Sequence, residues 1–546
     1  MTSKLLFVCL LLSLNCCSQP NESNYYFHPE LGNDQNNGTN KSQAFKSLKK
    51  LNSLSLKPGD TIFLASGTTF KETLLLAKIS GKKNNPIVVT SVSWDNSETV
   101  QPAVIDFKNF EAGIHIEDAS FINISNIKLT GNGYDANTPQ DFNRRCGILL
   151  TNKAATIVEH IYLDHLEIFD VFYENKGFVR GLEEVKTANG TQKYGWGIRI
   201  INQNENAIIK DITLKNNIIN NVAHTGIKLT GNQKNISNII IDNNEVSYTG
   251  GPGIQMSEVT NVHVLNNVVT YSGSDNDTRK WGRGSGLWTW GSDHVLIEKN
   301  KFMYANGPGD SAGVHIDFNC NDIVIQYNLS AHNAGGFCEI LGNNYNCVYR
   351  YNVSVNDGHR IKGENGAFQE GKLFWLSGYQ GNKSPRKGPV NSYFYNNTMY
   401  VDETIISKFA VDNTSKGILI ANNIFYLLGD SKMVKGDQYV PDNSNKTASE
   451  QVFFKHNLFL SEENWPNEIG LTDETPFYGN PEFLNAGGLT IEDYLPKARD
   501  LVKQKGLLIN PLPEDDFFTS ESLQLKTDIL GNTIGKTPSI GAIEPK

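Results

Sequence analysis

Two acidic residues in the middle of the chain, Asp317 and Glu339, occupy what we interpret as equivalent positions of consecutive repeats. If these repeats stack as neighbouring strands, the two carboxyl groups lie within roughly 5–6 Å of each other. The pKa of one carboxyl group then rises, because two carboxylates at that distance cannot both ionise freely. Such a pair is typical of the proton donor and the nucleophile in retaining glycoside hydrolysis. His315 lies one strand step from Asp317, where it could exchange a proton.

The carboxylate pair has an alternative role, because two close carboxylates also suit a calcium ion. Calcium is the one ion that we consider; no cofactor is expected otherwise, and no cysteine or histidine spacing predicts zinc. Asp310, near the start of the His315 strand, is a reserve acid, although capping a loop is its simpler role.

A second set of residue types suits sugar binding. Exposed tryptophans side by side are costly without a partner, and aromatic faces stack on sugar rings. Basic and amide side chains can hold sulfate or carboxylate groups of a sugar chain. For His224 a buried structural role is the alternative. The residues predicted to bind substrate are Arg199, His224, Lys228, Gln255, Arg283, Trp288 and Trp290.

A repeated sequence motif positions these residues. Each repeat begins with a glycine followed by alternating apolar residues, and we call this opening the glycine phrase. A second apolar run of period two follows, and the repeat ends at an asparagine. Spacings of 23 to 33 residues between the asparagines match one coil of a solenoid. Short alternating runs predict an all-β, right-handed parallel β-helix, with the asparagines at turns where they adopt left-handed backbone or bond to the next coil. The asparagines are Asn217, Asn244, Asn267, Asn300, Asn328 and Asn352.

The repeat also predicts which side chains face outward. Apolar residues such as Ile198 point into the core, so the residues between them point out. We predict one outward column from Arg199 through Lys228, Gln255, Trp288 and His315 to Phe337, taking Gly335 as the glycine of the last phrase. The column two residues further on includes Trp290, Asp317 and Glu339. Long segments precede the glycine phrases and are predicted to form a wall of loops beside a groove.

The 546-residue chain carries a net charge of −9 and no basic stripe, which argues against a nucleic-acid partner. Residues 1–17 resemble an export or lipoprotein signal, with Cys16 or Cys17 as the lipidated residue. We therefore expect an exported protein that is either anchored to the membrane by a lipid at the bacterial cell surface or secreted.

We predict a monomer with a β-helix over 25–460, a capping helix over 43–54 at its start, and a tail over 461–546 packed on the solenoid. Cys320 and Cys347 form either a disulfide or two buried thiols.

The opening of the mature part, with Gly32-Asn-Asp, the capping helix and Pro58-Gly-Asp-Thr-Ile, resembles the pectate-lyase-like superfamily of β-helix carbohydrate-active enzymes, as does the ending Pro538-Ser-Ile-Gly-Ala-Ile. The resemblance implies the fold and a polysaccharide substrate, but it fixes no sugar. With the carboxylate pair, it favours an exported glycoside hydrolase, endo-acting on an acidic polysaccharide such as a sulfated fucan or galactan. Two alternatives remain: a polysaccharide lyase with Lys228 as base and Arg199 neutralising a uronate, and a non-catalytic glycan-binding solenoid.

Overall fold

Parallel strands stacked in three long sheets make up most of the chain. The structure is a computed structural model that describes residues 22–95, 101–138, 141–154, 156–187, 189–434, 451–466 and 471–546. Successive coils contribute one strand to each sheet, and all the strand pairs are parallel. The predicted solenoid of stacked strands is confirmed. The predicted signal over 1–17 lies outside the described residues.

Within the described ranges, the first sheet has 12 strands and the other two have 14 each. The first sheet consists of Leu74–Ala77, Ala112–Glu117, Arg145–Thr151, Gly195–Ile201, Ile227–Thr230, Ile254–Ser257, Leu287–Trp290, Ala312–Ile316, Gly336–Ile340, Lys372–Leu376, Ser407–Val411 and Ser431–Met433. The second sheet consists of Asn24–Phe27, Thr61–Ala65, Ile87–Val92, Ile122–Ser125, Ile157–Asp164, Ile208–Lys215, Ile236–Asp242, Val259–Leu265, Asp293–Glu298, Asn321–Gln326, Tyr345–Arg350, Val390–Tyr395, Lys416–Ala421 and Val452–Lys455. The third sheet consists of Thr69–Phe70, Ala103–Asp106, Ile127–Asn132, Glu167–Phe172, Ile218–Val222, Glu245–Thr249, Val268–Thr270, Lys301–Met303, Leu329–Ala331, Val353–Val355, Thr398–Val401, Ile424–Leu427, Leu458–Phe459 and Phe477–Tyr478.

Helices are few and short. The α-helices of the described residues are Leu182–Lys186, Arg499–Val502 and Ser520–Leu523, and 3-10 helices span Lys41–Gln43, Leu48–Ser53, Glu462–Asn464 and Ile491–Tyr494. The predicted helical cap is present, as the 3-10 helix Leu48–Ser53 within the predicted range 43–54, and it buries Leu48 and Leu51 against the first coil. Within the described residues, we find no helix with the length and apolar character needed to cross a membrane.

The glycine phrase marks the strand of the first sheet. Its apolar residues are fully buried at Ile198, Ile227 and Ile254, so the predicted inward register is confirmed there. Glycine recurs because neighbouring coils approach closely: a Cβ at Gly197 would collide with the carbonyl oxygen of Gly226. The long segments run from the third sheet back to the first sheet, so they all rise along one edge of the first sheet.

The buried asparagines lie between the second and third sheets and hydrogen-bond from coil to coil. The Oδ1 of Asn244 accepts hydrogen bonds from the backbone N and the Nδ2 of Asn217, at 3.0 and 2.9 Å. Asn244 donates to Asn267 in the same way, and the series continues to Asn457. The predicted ladder is confirmed, but the left-handed residue is the one before each ladder position, such as Asn243 with φ of 52°.

We expect Asn267→Ala to lower the free energy of unfolding by about 3 kcal/mol or more. The Asn267 side chain accepts two hydrogen bonds from Asn244 and donates to the carbonyl oxygens of Ile241 and Leu265, all of which would lose a buried partner. Urea unfolding followed by circular dichroism measures the change, with Asn206→Ala at an exposed position as the control. Equal values for the two variants would contradict a stabilising ladder.

The tail over 461–546 contacts the outer faces of two sheets. Tyr494, Val502 and Ile540 pack against the third sheet, and Ile509 and Leu523 pack against the second sheet. Strand pairing continues beyond Leu460 to Phe477–Tyr478.

The four cysteines of the described residues are free and buried, which decides between the two alternatives for Cys320 and Cys347. Cys347 is aligned with Ile323 on the neighbouring strand rather than with Cys320.

Candidate functional site

A cavity of about 590 Å³ lies on the first sheet beside the long loops. It is lined by residues of five consecutive coils, by Leu341 and Tyr379 at the ends of the next two strands of the first sheet, and by residues of the long loops. The lining residues are Asn189, Gln192, Arg199, Gln203, Lys228, Thr230, Gly231, Gln255, Ser257, Arg283, Trp288, Trp290, Asp310, His315, Asp317, Phe318, Leu341 and Tyr379.

The predicted outward column is confirmed over these coils. Arg199 is aligned with Lys228, Lys228 with Gln255, Gln255 with Trp288, and Trp288 with His315. Trp288 lines the cavity and is only half-buried, as is Trp290 two residues further along the same strand. The register that placed both tryptophans on the outer face is therefore correct.

The predicted carboxylate pair is wrong, because Glu339 is aligned with His315 and not with Asp317. Gly335 misled the alignment: Cys338 lies opposite Val314, so Phe337 occupies the place of the repeated glycine. The Phe337 side chain turns into the core, 4% exposed, instead of facing out. Glu339 therefore lies one coil beyond His315 and outside the cavity lining, with its Oε1 3.4 Å from His315 Nε2.

Asp310 supplies the second carboxyl group in place of Glu339. It lies just before the strand Ala312–Ile316, and its side chain lines the cavity instead of only capping a loop. Arg283 holds it with two hydrogen bonds, from Nε to Oδ2 at 2.8 Å and from Nη2 to Oδ1 at 3.0 Å. Asp310 and Ser311 both have positive φ, at 48° and 69°, so the chain is constrained where it presents this carboxylate.

Asp317 lies at the other end of the same strand, directly after Ile316. Its Oδ2 accepts a hydrogen bond from Trp288 Nε1 at 2.7 Å, and its Oδ1 accepts one from the backbone N of Phe318 at 2.8 Å. The side chain is 6% exposed and lines the cavity. The tryptophan predicted to bind sugar thus also fixes the orientation of this carboxyl group.

The two carboxyl groups differ in protonation. Burial raises the pKa of Asp317 to about 6, against the opposing effect of His315 and the two hydrogen bonds. Burial also acts to raise the pKa of Asp310, but the Arg283 ion pair and its hydrogen bonds outweigh burial and hold that pKa below its usual value. Up to a pH of about 6, the cavity thus holds one protonated carboxyl group, that of Asp317, and one ionised carboxylate, that of Asp310.

His315 lies opposite Trp288 on the neighbouring strand and is influenced electrostatically by both Asp310 and Asp317. Its ring is stacked on the Trp288 ring at 5.9 Å with 13° between the planes. Burial lowers its pKa despite the neighbouring Asp317 and Asp310, so the imidazole is neutral at pH 7. Its ring thus packs against Trp288, and its predicted part in proton exchange stays a prediction.

Arg283 lines the cavity as predicted, but much of its guanidinium binds protein. Besides Asp310, its Nη1 donates to the carbonyl oxygens of Val185 and Lys186, at 3.3 and 3.1 Å. These oxygens belong to the end of the helix Leu182–Lys186 on the loop over 173–194. Arg283 therefore ties that loop to Asp310.

His224 does not reach the cavity, so its predicted role in substrate binding is wrong. It is fully buried between the rings of Trp196 and Trp281, at 4.1 and 4.6 Å from their centroids. Its Nδ1 lies 2.9 Å from Thr225 Oγ1. Burial lowers its pKa well below the usual value, so it is a neutral part of an aromatic stack that supports the loop.

Arg199 and Lys228 form a basic end of the cavity. Gln192 Oε1 accepts a hydrogen bond from Arg199 Nη2 at 3.0 Å, and Asn189 Oδ1 accepts one from Lys228 Nζ at 3.1 Å. Both cations lie over the ring of Trp196, at 4.1 and 5.1 Å from its centroid. These two amides reach the cavity from the loop over 173–194.

Several lining residues escaped the sequence analysis. Asn189 and Gln192 lie in an irregular loop without a periodic signal, so only the long insertion before Gly195 pointed to them. Phe318 packs edge-on against Trp290 at 5.9 Å and against Tyr379 at 6.0 Å, forming an aromatic wall next to Asp317. In the sequence, the position of the aromatic Phe318 directly after Asp317 is the feature that could have predicted this wall.

A possible metal group lies elsewhere on the solenoid. Among the described residues, Glu159, His160 and Asp211 bring three ligand atoms within 4.8 Å of one another on the second sheet. Lys210 already contacts two of them, with its Nζ 3.0 Å from Glu159 Oε2 and 3.7 Å from Asp211 Oδ2. A lysine ammonium thus occupies the place of a cation.

Comparison with known proteins agrees with this architecture. Residues 196–398 match the family model described as right handed beta helix region. The chain folds as a right-handed β-helix. Its resemblance to β-helix carbohydrate-active enzymes is thereby confirmed at the level of the fold.

Two similar proteins carry the name lacto-N-biosidase. That of Bifidobacterium longum subsp. longum is 22% identical over 95% of this chain, which spans 36% of that relative's length. The crystal structure of the GH136 lacto-N-biosidase from Eubacterium ramulus superposes with a TM-score of 0.54 at 18% identity, covering 75% of this chain and 68% of that one. At this identity the structural likeness shows the shared fold.

We expect Trp288→Ala to weaken binding of a sugar ligand by about 2 kcal/mol, because a stacking surface at the centre of the cavity is lost. Trp288→Phe keeps an aromatic ring and loses only the Nε1 hydrogen bond to Asp317, so it should retain most of the binding. Calorimetric titration of both variants with the same oligosaccharide checks this. Equal losses of affinity in the two variants would contradict stacking by Trp288.

Proposed function

We propose that the chain is a glycoside hydrolase in which Asp310 and Asp317 cleave the glycosidic bond. The observation that carries this proposal is one cavity holding two carboxyl groups with opposite pKa shifts beside two tryptophans. Groups whose environments separate their pKa values in this way can divide the proton-donor and carboxylate roles of glycoside hydrolysis. The two relatives named lacto-N-biosidase support the same reaction class.

Asp317 is assigned as the proton donor to the leaving oxygen, since burial keeps it protonated up to a pH of about 6. Asp310 stays ionised through Arg283 and acts at the anomeric carbon, directly as a nucleophile or through a water molecule. Retention or inversion in the first product, read by proton NMR, decides between these two routes.

The shape of the cavity favours an oligosaccharide or a chain end over internal cleavage of a long polymer. Asn189 and Gln192 come across the basic end from the loop over 173–194 and leave Arg199 and Lys228 only 7% and 5% exposed. We therefore propose cleavage near a chain end in place of the endo-action expected from the sequence. No finding supports a fucan or galactan as the substrate.

Incubation of the purified chain with a panel of neutral and acidic oligosaccharides tests the reaction class. The panel includes lacto-N-tetraose, xylo-oligosaccharides, oligogalacturonates and sulfated galactan oligomers, with new reducing ends as the readout. A hydrolase produces reducing ends without ultraviolet absorbance. An unsaturated product absorbing in the ultraviolet would instead support the lyase alternative, with Lys228 as base, and binding without turnover would support the glycan-binding solenoid.

We expect kcat/KM to fall as the pH rises through about 6. The proton donor must be protonated, and this parameter reports the free enzyme, in which the pKa of Asp317 is about 6. Well above that pH the rate should fall about tenfold per pH unit. A pH–rate profile with the natural substrate measures this, and a constant rate between pH 6 and 8 would contradict the assignment of Asp317.

A further inference from the structure

The basic end of the cavity holds two neighbouring cations that lack an acidic partner. Arg199 and Lys228 lie side by side on consecutive strands and are at least nine-tenths buried. The side chains that receive their hydrogen bonds, Gln192 and Asn189, are neutral. Within the described residues, neither cation forms an ion pair with a carboxylate, and Glu111, which acts on Arg199 from further away, is paired with Arg144 at 3.1 Å.

Burying these two cations side by side costs free energy when no anion is bound next to them. Burial, together with the neighbouring charge of Arg199, lowers the pKa of Lys228 well below its usual value, and burial lowers that of Arg199 to about 10. The ring of Trp196 beneath both cations offsets part of this cost through cation–π attraction. An anionic group in the cavity would remove most of the remaining cost, because it pairs with both cations at once.

The distance from the basic end to the carboxyl groups is too long for a single sugar ring to span. Lys228 and Trp288 lie two coils apart, and Lys228 and His315 three coils apart, which corresponds to about 10 and 14 Å along the solenoid. Gln255 and the tryptophans line the cavity between them. A ligand that spans this distance places one sugar at Asp317 and a neighbouring sugar at Lys228.

We propose that Arg199 and Lys228 bind an anionic substituent, a carboxylate or a sulfate ester, on the sugar next to the one cleaved at Asp310 and Asp317. The inference rests on the proposed hydrolase function in that it assigns the substrate class of the same site. The substrate is then an acidic oligosaccharide whose charge lies one sugar away from the scissile bond. Arg199 contacts the anion with its planar guanidinium, and Lys228 contacts it as a point charge.

Binding to the hydrolytically impaired variant Asp317→Asn tests this proposal separately from turnover. The probes are matched pairs that differ only in charge: cellobiouronic acid against cellobiose, and neocarrabiose 4-sulfate against neocarrabiose. We expect the charged member of at least one pair to bind about tenfold more tightly or better, with an affinity that falls as salt increases. The first pair reports on carboxylate and the second on sulfate.

The same titrations with Lys228→Met and Arg199→Met added to the Asp317→Asn background should abolish the preference for charge. Each methionine keeps an apolar stem but removes the cation, and the lost desolvation cost should leave Tm equal or higher. Lys301→Met, at an exposed position of the third sheet, is the matched control. Equal binding of charged and neutral sugars, or a preference that survives in both variants, would overturn the proposal. Charge-dependent binding without hydrolysis by the parent chain would instead reject the hydrolase function and keep the anion site.

Discussion

Replacing Asp317 with asparagine should lower kcat for the natural glycoside by about 10²–10⁴-fold. The amide keeps the shape of the side chain and can still accept a hydrogen bond from Trp288, but it cannot donate a proton at a pKa near 6. An aryl glycoside with an acidic leaving group should lose far less activity, because its leaving oxygen needs no proton. The decline of the rate above pH 6 should disappear in the variant.

The comparison with Glu339→Gln distinguishes the structural site from the pair that the sequence predicted. Glu339 lies outside the cavity lining and contacts His315 of the site, so we expect a loss of less than about tenfold. Asp322→Asn on the second sheet serves as the unaffected control. Equal losses with natural and aryl glycosides would show that Asp317 is not the proton donor, and a larger loss in Glu339→Gln would return the sequence-based pair to consideration.

Replacing Asp310 with glycine should lower kcat by at least about 10³-fold, and sodium azide should restore turnover of an activated aryl glycoside. The variant leaves the guanidinium of Arg283 facing a space of carboxylate size, which an azide anion can fill. Azide then bonds to the anomeric carbon as the aryloxide departs, and the product is a glycosyl azide of inverted configuration. NMR of that product measures the result.

Two outcomes would contradict the role of Asp310. A glycosyl azide of retained configuration would mean that Asp310 acts as the acid–base residue and that the roles of Asp310 and Asp317 are exchanged. Activity within a few-fold of the parent, without any azide effect, would remove Asp310 from the reaction. Arg283→Met tests the positioning of Asp310: because the ion pair is lost, the pKa of Asp310 rises, and the acidic limb of the pH–rate profile should move to higher pH.

Much of the architecture follows from the sequence alone. The glycine phrase and the asparagine spacing predicted a stack of parallel strands because one-coil periodicity depends on local alternation and on a repeated turn. The same alternation correctly placed Arg199, Lys228, Gln255 and the two tryptophans on one outer column. Five successive coils with clear glycine phrases left no freedom in the register, since a slip of one residue would expose the entire core face.

The proposed catalytic pair, Asp310 and Asp317, emerged only from the tertiary structure. The repeat pattern does not show that Phe337 stands where the coils just before it have glycine. The Phe337 ring fits at that position because neighbouring side chains leave room for it in the core, which is a property of the packing and not of the local sequence. That two-residue difference moved Glu339 away from Asp317. Left-handed backbone at Asp310 and the ion pair with Arg283 of the preceding coil place the Asp310 carboxylate in the cavity. Arg283 and Asp310 are 27 positions apart in the sequence, so no local pattern encodes their contact. Likewise, His224 is buried because Trp281 of a distant loop covers it, which only the folded chain brings about.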